Sequence, residues 1–184
     1  MKQTVAILLF VVLFVGADLQ AQVSKARAIA FLKQLPARYR KDEYGRVVFV
    51  ELNGLRFRDN HLGHIQGLKK ELVHLQVTNS NVSDTGLQYL RGMTRLQHLD
   101  LAGNAITNGG LVHLQGLTNL RQLRLSSTQI TDAGFVRFRM LKKLELLNVY
   151  RTRVSDAGLV NLHGLTNLRV LLLSRTQVTN AGLA

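Results

Sequence analysis

One ten-residue phrase recurs at a fixed spacing along this chain. The segment SSTQITDAGF, residues 126–135, returns 24 residues later as YRTRVSDAGL and again as SRTQVTNAGL. Four complete copies and a fifth of 17 residues follow this 24-residue period, and they begin at Leu72, Leu96, Leu120, Leu144 and Leu168. A repeated unit of this length cannot bury its apolar face alone, so the period predicts a solenoid of stacked coils.

The first part of each copy is typical of a short strand. Each copy opens with LxxLxL or a close variant, namely LVHLQV, LQHLDL, LRQLRL, LELLNV and LRVLLL. The last three letters alternate between the core and the surface, as side chains on a strand do, and strands in one register stack into a parallel sheet. A small polar residue that can hydrogen-bond unpaired backbone groups then marks a bend: Ser80, Asn104, Thr128, Thr152 and Thr176.

The second part of each copy is typical of a helix start. In the copy at 130–135, Ile130 is predicted to point into the core, and Thr131 is predicted to cap the helix. Asp132 then lies at the positive end of the helix dipole. Gly134 costs about 1 kcal/mol against alanine in a helix, so its recurrence predicts close contact with the neighbouring coil. The repeated phrase is therefore structural rather than catalytic.

A degenerate copy, Val47–Glu71, precedes the regular ones and is one residue longer. Its predicted core residues are Val50, Leu52, Phe57, Leu62, Ile65 and Leu68. The solenoid is therefore predicted to span residues 47–184, with one degenerate, four full and one partial repeat.

The pattern LxxLxLxx(N/T), followed by I-T-D-A-G-L, resembles the leucine-rich-repeat family over three quarters of the chain. It is similar to secreted bacterial leucine-rich-repeat proteins and to ribonuclease-inhibitor-like horseshoes, although Ser or Thr often replaces Asn after the strand. The resemblance implies an α/β horseshoe with a parallel sheet on its concave face and short helices on its convex face. It also implies binding of macromolecules, without catalysis and without a cofactor.

The first 17 residues have the layout of a secretory signal peptide. Lys2 precedes the apolar run 5–16, and Ala17 or Ala21 offers a small residue for a peptidase. The run is shorter than the ~20 residues that a spanning helix needs, which disfavours the alternative of a membrane anchor. The chain has no cysteine and therefore no disulfide. We expect a secreted or periplasmic protein without a transmembrane segment.

Residues 18–46 are predicted to form an N-terminal helix–hairpin cap for the first coil. A helix capped by Ser24 would end before Pro36 and would carry its apolar residues on one side, at Ala28, Ile29, Leu32 and Leu35. A hairpin would follow, with strands at 38–41 and 47–52 joined by the turn-like segment 42–45. The alternative is a helix that docks a partner.

Basic residues dominate the charged positions of the chain. There are 24 Lys and Arg residues against 11 Asp and Glu, and segment 121–175 holds ten basic residues and three acidic ones. Arginine and tyrosine are favoured anchors in interfaces. The repeat places the candidate ligand-binding residues on the concave face: Arg124, Asn148, Tyr150, Arg151 and Arg175. The alternative is that the arginines serve solubility, with Glu145 bridging Arg121 and Arg169.

A basic concave face predicts an acidic partner. Candidate partners are an acidic protein or an anionic polysaccharide or envelope component. Nucleic acid is not expected, because the strands offer few aromatic rings on which bases would stack. The alternative function is a structural or assembly module of a larger protein, without a ligand of its own.

Two histidines share one repeat position. His74 and His98 are 24 residues apart and should be neighbours on adjacent strands, with Asp100 two residues further on. Two imidazoles and a carboxylate can bind zinc, which makes this set the candidate metal site. The alternative is a solvated pair of side chains without a metal. No other residues form a recognisable catalytic pattern.

The last copy stops before its helix is finished, so its apolar side chains are predicted to lie at an open end face. A longer parent chain and edge-to-edge pairing are two explanations. We expect the isolated chain to dimerise or aggregate, which analytical ultracentrifugation measures directly. A stable monomer at high concentration would contradict this expectation.

Overall fold

A computed structural model describes residues 19–54 and 57–183 of the chain. The predicted signal peptide, residues 1–17, lies outside the described residues. One sheet runs in sequence order through seven strands. They are β1 (Arg38–Lys41), β2 (Val47–Glu51), β3 (His74–Gln76), β4 (His98–Asp100), β5 (Gln122–Arg124), β6 (Leu146–Asn148) and β7 (Val170–Leu172).

The strand register follows the sequence repeat. Strands β2 to β7 pair in parallel, and each core residue lies opposite its equivalent 24 positions away, as Leu99 does with Leu123. Between β2 and β3 the offset is 25, because Val50 pairs with Leu75. The extra residue of the degenerate copy is thus absorbed outside the strands. β1 instead pairs antiparallel with β2, which confirms the predicted hairpin.

Short helical segments lie on the other side of the solenoid. The α-helices are α1, described over 19–33, α2 (Asp59–His64), α3 (Asp84–Leu87), α4 (Asp132–Phe135) and α5 (Asp156–Leu159). The 3₁₀ turns are Ile65–Leu68, Gln88–Leu90, Gly110–Leu114, Val136–Met140, Val160–Leu162 and Asn180–Leu183. A 24-residue coil leaves room for only one or two turns of helix between successive strands. None of the described residues forms a helix with the length and hydrophobicity needed to cross a bilayer.

A single apolar core runs between the sheet and the helices. All six predicted core residues of the degenerate copy are buried in this core. The polar residue after each strand works as expected: Thr128 Oγ1 donates to the backbone oxygen of Leu125 at 2.6 Å. Asn104 reaches further, since its Nδ2 donates to the oxygen of Val77 in the preceding coil at 2.7 Å. Buried backbone groups at each bend are thereby satisfied.

The N-terminal helix differs from the prediction at its start. Ser24 lies inside α1, so it does not cap the helix. The preceding Leu, Gln and Ala residues are good helix formers and extend the helix towards the N-terminus. Ala28 and Leu32 are buried in the common core, as predicted. Gly67 allows close packing here, because an added Cβ would lie 2.2 Å from the oxygen of Ser24.

A hydrogen-bonded staple joins each coil to the next. Asp132 Oδ1 accepts from the backbone N–H of Ser155 at 2.7 Å, and Oδ2 accepts from the Ser155 hydroxyl at 2.6 Å. We call this contact the inter-coil staple. The other staples are Asp59 with Ser83, Asp84 with Thr107, Asn108 with Thr131 and Asp156 with Thr179.

The staple explains the recurrent glycine and revises the capping prediction. A Cβ at Gly158 would lie 2.5 Å from Asp132 Oδ1, so the predicted close contact between coils is confirmed. The Ser155 side chain makes no hydrogen bond to its own helix, and its hydroxyl donates to the preceding coil. Only some copies form the predicted helix cap. In α3, for example, the Ser83 hydroxyl accepts a hydrogen bond from the backbone N–H of Thr85.

The apolar side chains of the last coil are largely accessible. Leu168, Leu171, Leu173 and Val178 pack against the core but are only partly buried, and Val170, Leu172 and Leu183 are exposed. Self-association through this end stays a prediction.

Replacing Asp132 by alanine should weaken the junction between two coils. The change leaves the Ser155 N–H and hydroxyl without their acceptor, and we expect a loss of about 1–3 kcal/mol in the free energy of unfolding, measured by urea denaturation. Asp132→Asn is the matched control, because Asn108 forms the same staple through its amide, and it should cost less than about 1 kcal/mol. Equal losses in both variants would contradict the staple.

Candidate functional site

The exposed face of the sheet carries two rows of side chains. The middle residue of each of β3 to β6 is buried, so the residues on either side of it face outward. The first row is Phe49, His74, His98, Gln122, Leu146 and Val170. The second row is Glu51, Gln76, Asp100, Arg124, Asn148 and Leu172. Each neighbour in a row comes from the next coil.

The structure brings the five predicted ligand-binding residues together. Arg124 pairs in register with Asn148, whose Oδ1 accepts from the backbone N–H of Tyr150 at 2.9 Å. The guanidinium carbon of Arg175 lies 5.6 Å from the centre of the Tyr150 ring, within the range of a cation–π contact. Arg151 follows Tyr150 directly and is exposed. We call these five residues the basic sheet cluster.

Arg151 and Arg175 occupy an unusual backbone position. Their φ angles are +54° and +58°, in the left-handed region. Every coil has a positive φ at the equivalent residue, which is Gly54, Asn79, Gly103 or Ser127 in the other four. Glycine and asparagine adopt it most readily, whereas other residues incur a cost of roughly 1–2 kcal/mol.

The left-handed conformation of this turn therefore does not favour an arginine at this position. Two adjacent coils nevertheless place one there, and each directs a long cationic side chain from a fixed point beside the sheet. This conformation was not predicted, although Gly103 at the aligned position was a usable signal. Asn79, at the same position in the copy that begins at Leu72, was a second one.

The charge of Arg124 is partly offset. Asp100 lies opposite it on β4, and burial raises the pKa of Asp100, while the Ala102 N–H and the Arg124 guanidinium act in the opposite direction. Arg151 and Arg175 have no ion pair with any described residue. The positive potential of the cluster is therefore concentrated at these two arginines.

Glu145 neutralises only one of its predicted partners. It forms an ion pair with Arg121. Arg169 donates its backbone N–H to the oxygen of Glu145, but its side chain has no ion pair within the described part of the chain. The proposed three-residue bridge is therefore only half formed, and Arg169 adds another cation beside β7.

A column of stacked groups occupies the N-terminal half of the sheet face. The His74 and His98 rings are stacked with their centres 4.0 Å apart, which confirms that they are neighbours. Phe49 continues the column at 6.2 Å from His74, and the Arg40 guanidinium lies 4.5 Å from the Phe49 ring centre. An open depression of about 300 Å³ lies over this column and extends to Arg124.

The surroundings of His74 disfavour its charged form. Partial burial lowers the pKa of His74, and the nearby His98 and Arg40 lower it further. The candidate metal set places Asp100 in the second row, two residues from His98. Among residues 19–54 and 57–183, no three His, Cys, Asp or Glu side chains are arranged to hold a metal ion.

Comparisons with known proteins address the repeat. A family model described as "Leucine rich repeat" matches residues 70–130, about a third of the chain. A search of curated proteins found no match.

Solved structures with the same fold include the internalin InlF from Listeria monocytogenes. It is 26% identical with a TM-score of 0.57, and the match covers 66% of this chain and 34% of InlF. The plant peptide hormone receptor RGFR1, solved in complex with RGF2, is 20% identical with a TM-score of 0.49, over 71% of this chain and 24% of the receptor. This chain thus spans only a third or less of these proteins.

The lowered pKa of His74 predicts a pH-dependent stability. As the pH falls below the ordinary histidine value of 6.5, the unfolded chain takes up the proton before the folded one, so the free energy of unfolding should fall. We expect His74→Gln to lose less stability than the wild type between pH 8 and pH 5 in urea denaturation. Glutamine fits this row, because Gln122 is already part of it. His163→Gln, on the exposed helical side, is the control, and equal pH dependence in the His74→Gln variant and the wild type would contradict the prediction.

The repeat, the strand register and the family match point to one family. The strands pair residue for residue at the period of the sequence motif. The family model covers the copies that begin at Leu72 and Leu96 and the strand of the copy that begins at Leu120. The InlF structure extends the likeness to the fold. The chain has the fold and the repeat pattern of leucine-rich-repeat proteins.

Proposed function

We propose that this protein binds an acidic partner through the basic sheet cluster, without catalysing a reaction. The observation that supports it best is the pair of adjacent arginines at positions where the backbone favours Asn or Gly. A cost of roughly 1–2 kcal/mol at each position is readily explained if the side chains act on a ligand.

The chemistry of the cluster suits carboxylates. A guanidinium presents a planar fork of donors that matches a carboxylate, and Tyr150 supports Arg175 from one side. The amide oxygen of Asn148 already accepts a hydrogen bond from the backbone N–H of Tyr150, and its Nδ2 group can donate one to a ligand. Because the cluster lies on a stapled sheet, little ordering entropy is lost on binding.

Apolar side chains beside the cluster favour a protein segment over a polysaccharide. Leu146, Val170 and Leu172 face the same side of the sheet, next to Asn148. A ligand with both carboxylates and apolar side chains would contact both the basic sheet cluster and the apolar side chains beside it. An anionic polysaccharide would leave those apolar side chains exposed to water. Leucine-rich-repeat proteins bind other proteins, and the RGFR1 receptor was solved in complex with RGF2.

Two further assignments accompany this function. We infer that residues 1–17 direct export, so that binding takes place in the periplasm or outside the cell. We also infer that residues 18–46 cap the first coil, since α1 buries Ala28 and Leu32 and β1 covers the outer edge of β2. Capping is the usual need of a solenoid end.

The decisive variant carries Arg151→Asn and Arg175→Asn. Asparagine is already present at this position as Asn79, so the free energy of unfolding should stay equal or rise by roughly 1 kcal/mol. Binding of acidic peptides should weaken by about 100-fold, because two charge-assisted hydrogen-bonding groups are lost. The measurement is fluorescence anisotropy, on wild type and variant, of peptides selected from a random display library against the wild type alone.

The control removes two cations from the helical side, through Arg137→Asn and Arg139→His, and should bind the selected peptides as the wild type does. Enriched peptides without an excess of Asp and Glu, or with equal affinity for wild type and variant, would rule out the acidic-ligand function. The alternative of a repeat module without its own ligand would then be favoured.

A further inference from the structure

One segment on the helical side departs from its equivalents in the neighbouring coils. Residues 136–144 read VRFRMLKKL, whereas the preceding coil has VHLQGLTNL and the following coil has VNLHGLTNL. The departures are Arg137, Arg139, Met140, Lys142 and Lys143, and all five side chains are exposed. We call these five residues the helical-side basic patch.

Packing does not require these five residues. The core positions of the segment, Phe138, Leu141 and Leu144, are buried, as are the equivalent leucines of the preceding coil. The same path of the backbone is therefore built in two neighbouring coils with His, Gln, Gly, Thr and Asn at the surface. Lys142 and Lys143 make hydrogen bonds to Gly164 and Asn119 of those coils, at 3.1 and 2.7 Å.

The four cations of the patch form no ion pair with any residue that the structure describes. Within residues 19–54 and 57–183, ion pairs join only Lys25 with Glu71, Arg46 with Asp42 and Arg121 with Glu145. The nearest acids in sequence are engaged elsewhere: Glu145 forms an ion pair with Arg121, and Asp132 is held in its staple with Ser155. The patch therefore presents a field of one sign to its surroundings.

Exposed apolar side chains lie among these cations. Met140 is 57% exposed, at a position where the adjacent coils have glycine. Val112, Val136 and Val160 share one repeat position and are 38%, 40% and 59% exposed. Their 3₁₀ turns lie side by side, so the three valines form a row beside the patch. A single exposed apolar residue is ordinary, but a row of three with an added methionine among four cations is not.

We propose that the helical-side basic patch docks the protein on the surface of an anionic phospholipid bilayer. Long basic side chains reach the negatively charged headgroups, and exposed Met and Val side chains reach the boundary of the acyl chains beneath them. This combination disfavours a nucleic acid or polysaccharide partner, which offers no apolar layer under its charges. The surface is separate from the basic sheet cluster and does not depend on its function.

The test compares sedimentation with vesicles of phosphatidylglycerol and phosphatidylcholine against vesicles of phosphatidylcholine alone. The wild type should bind the anionic vesicles at low salt and be released by high salt, because screening weakens surface electrostatics. It should not bind the neutral vesicles. Soluble glycerol phosphate should not displace it, since a free headgroup lacks the bilayer.

The matched variant exchanges the patch for residues of the following coil, as Arg137→Asn, Arg139→His, Met140→Gly, Lys142→Thr and Lys143→Asn. Each basic side chain near an anionic surface strengthens binding about fivefold, so the partition coefficient should fall at least about 100-fold. Arg137→Asn with Arg139→His serves as a milder variant should the full exchange unfold, as judged by circular dichroism. It should lower the coefficient at least about tenfold.

The variant Arg151→Asn with Arg175→Asn should bind vesicles like the wild type. Three results would overturn bilayer docking: no binding of the wild type to anionic vesicles, equal binding of the exchanged variant, or displacement by glycerol phosphate. An equal loss in the sheet-face variant would also overturn it, because net charge rather than this patch would then govern binding.

Discussion

The inter-coil staple fixes how one coil sits on the next. A carboxylate or amide in one helix start receives the backbone N–H of the following coil at 2.7–2.9 Å, and a glycine of that coil leaves room for it. Five such contacts in succession hold neighbouring coils at one register on the helical side. The parallel strands hold the same register on the sheet side. With the staples on one side and the parallel strands on the other, the leucine core has little freedom to shift its register.

A single register has a direct consequence for surface chemistry. Any two residues 24 positions apart become neighbours, so a substitution repeated in adjacent copies becomes a pair in space. His74 and His98 stack for this reason, and the same rule sets Arg151 beside Arg175 and aligns the three exposed valines. In a solenoid, function can be added to a surface without touching the core, because core and surface positions alternate along every strand.

Which features could be predicted from the sequence depends on the same 24-residue register. The parallel strands, the core leucines and the neighbourhood of the five cluster residues all follow from the period, whereas the hairpin follows from local strand and turn signals. The staple was not predicted, because Asp132 and Ser155 lie in different copies and each has a plausible role within its own helix. The left-handed turn was missed because it is defined by the backbone φ angle, and an arginine in the sequence does not indicate a positive φ. Arg40 joins the histidine column from the antiparallel strand β1, which lies outside the regular period.

The two basic surfaces share the same part of the solenoid. Arg137 and Arg139 belong to the coil that begins at Leu120, and Arg151 belongs to the next coil, which the Asp132–Ser155 staple joins to it. Stability in a repeat protein is a sum of coil and interface terms, so a ligand on either face would stabilise the same pair of coils. Because the staple is rigid, binding on one face leaves the other in place. The two surfaces would thus allow the protein to hold a partner on one side while the other side remains attached to a membrane.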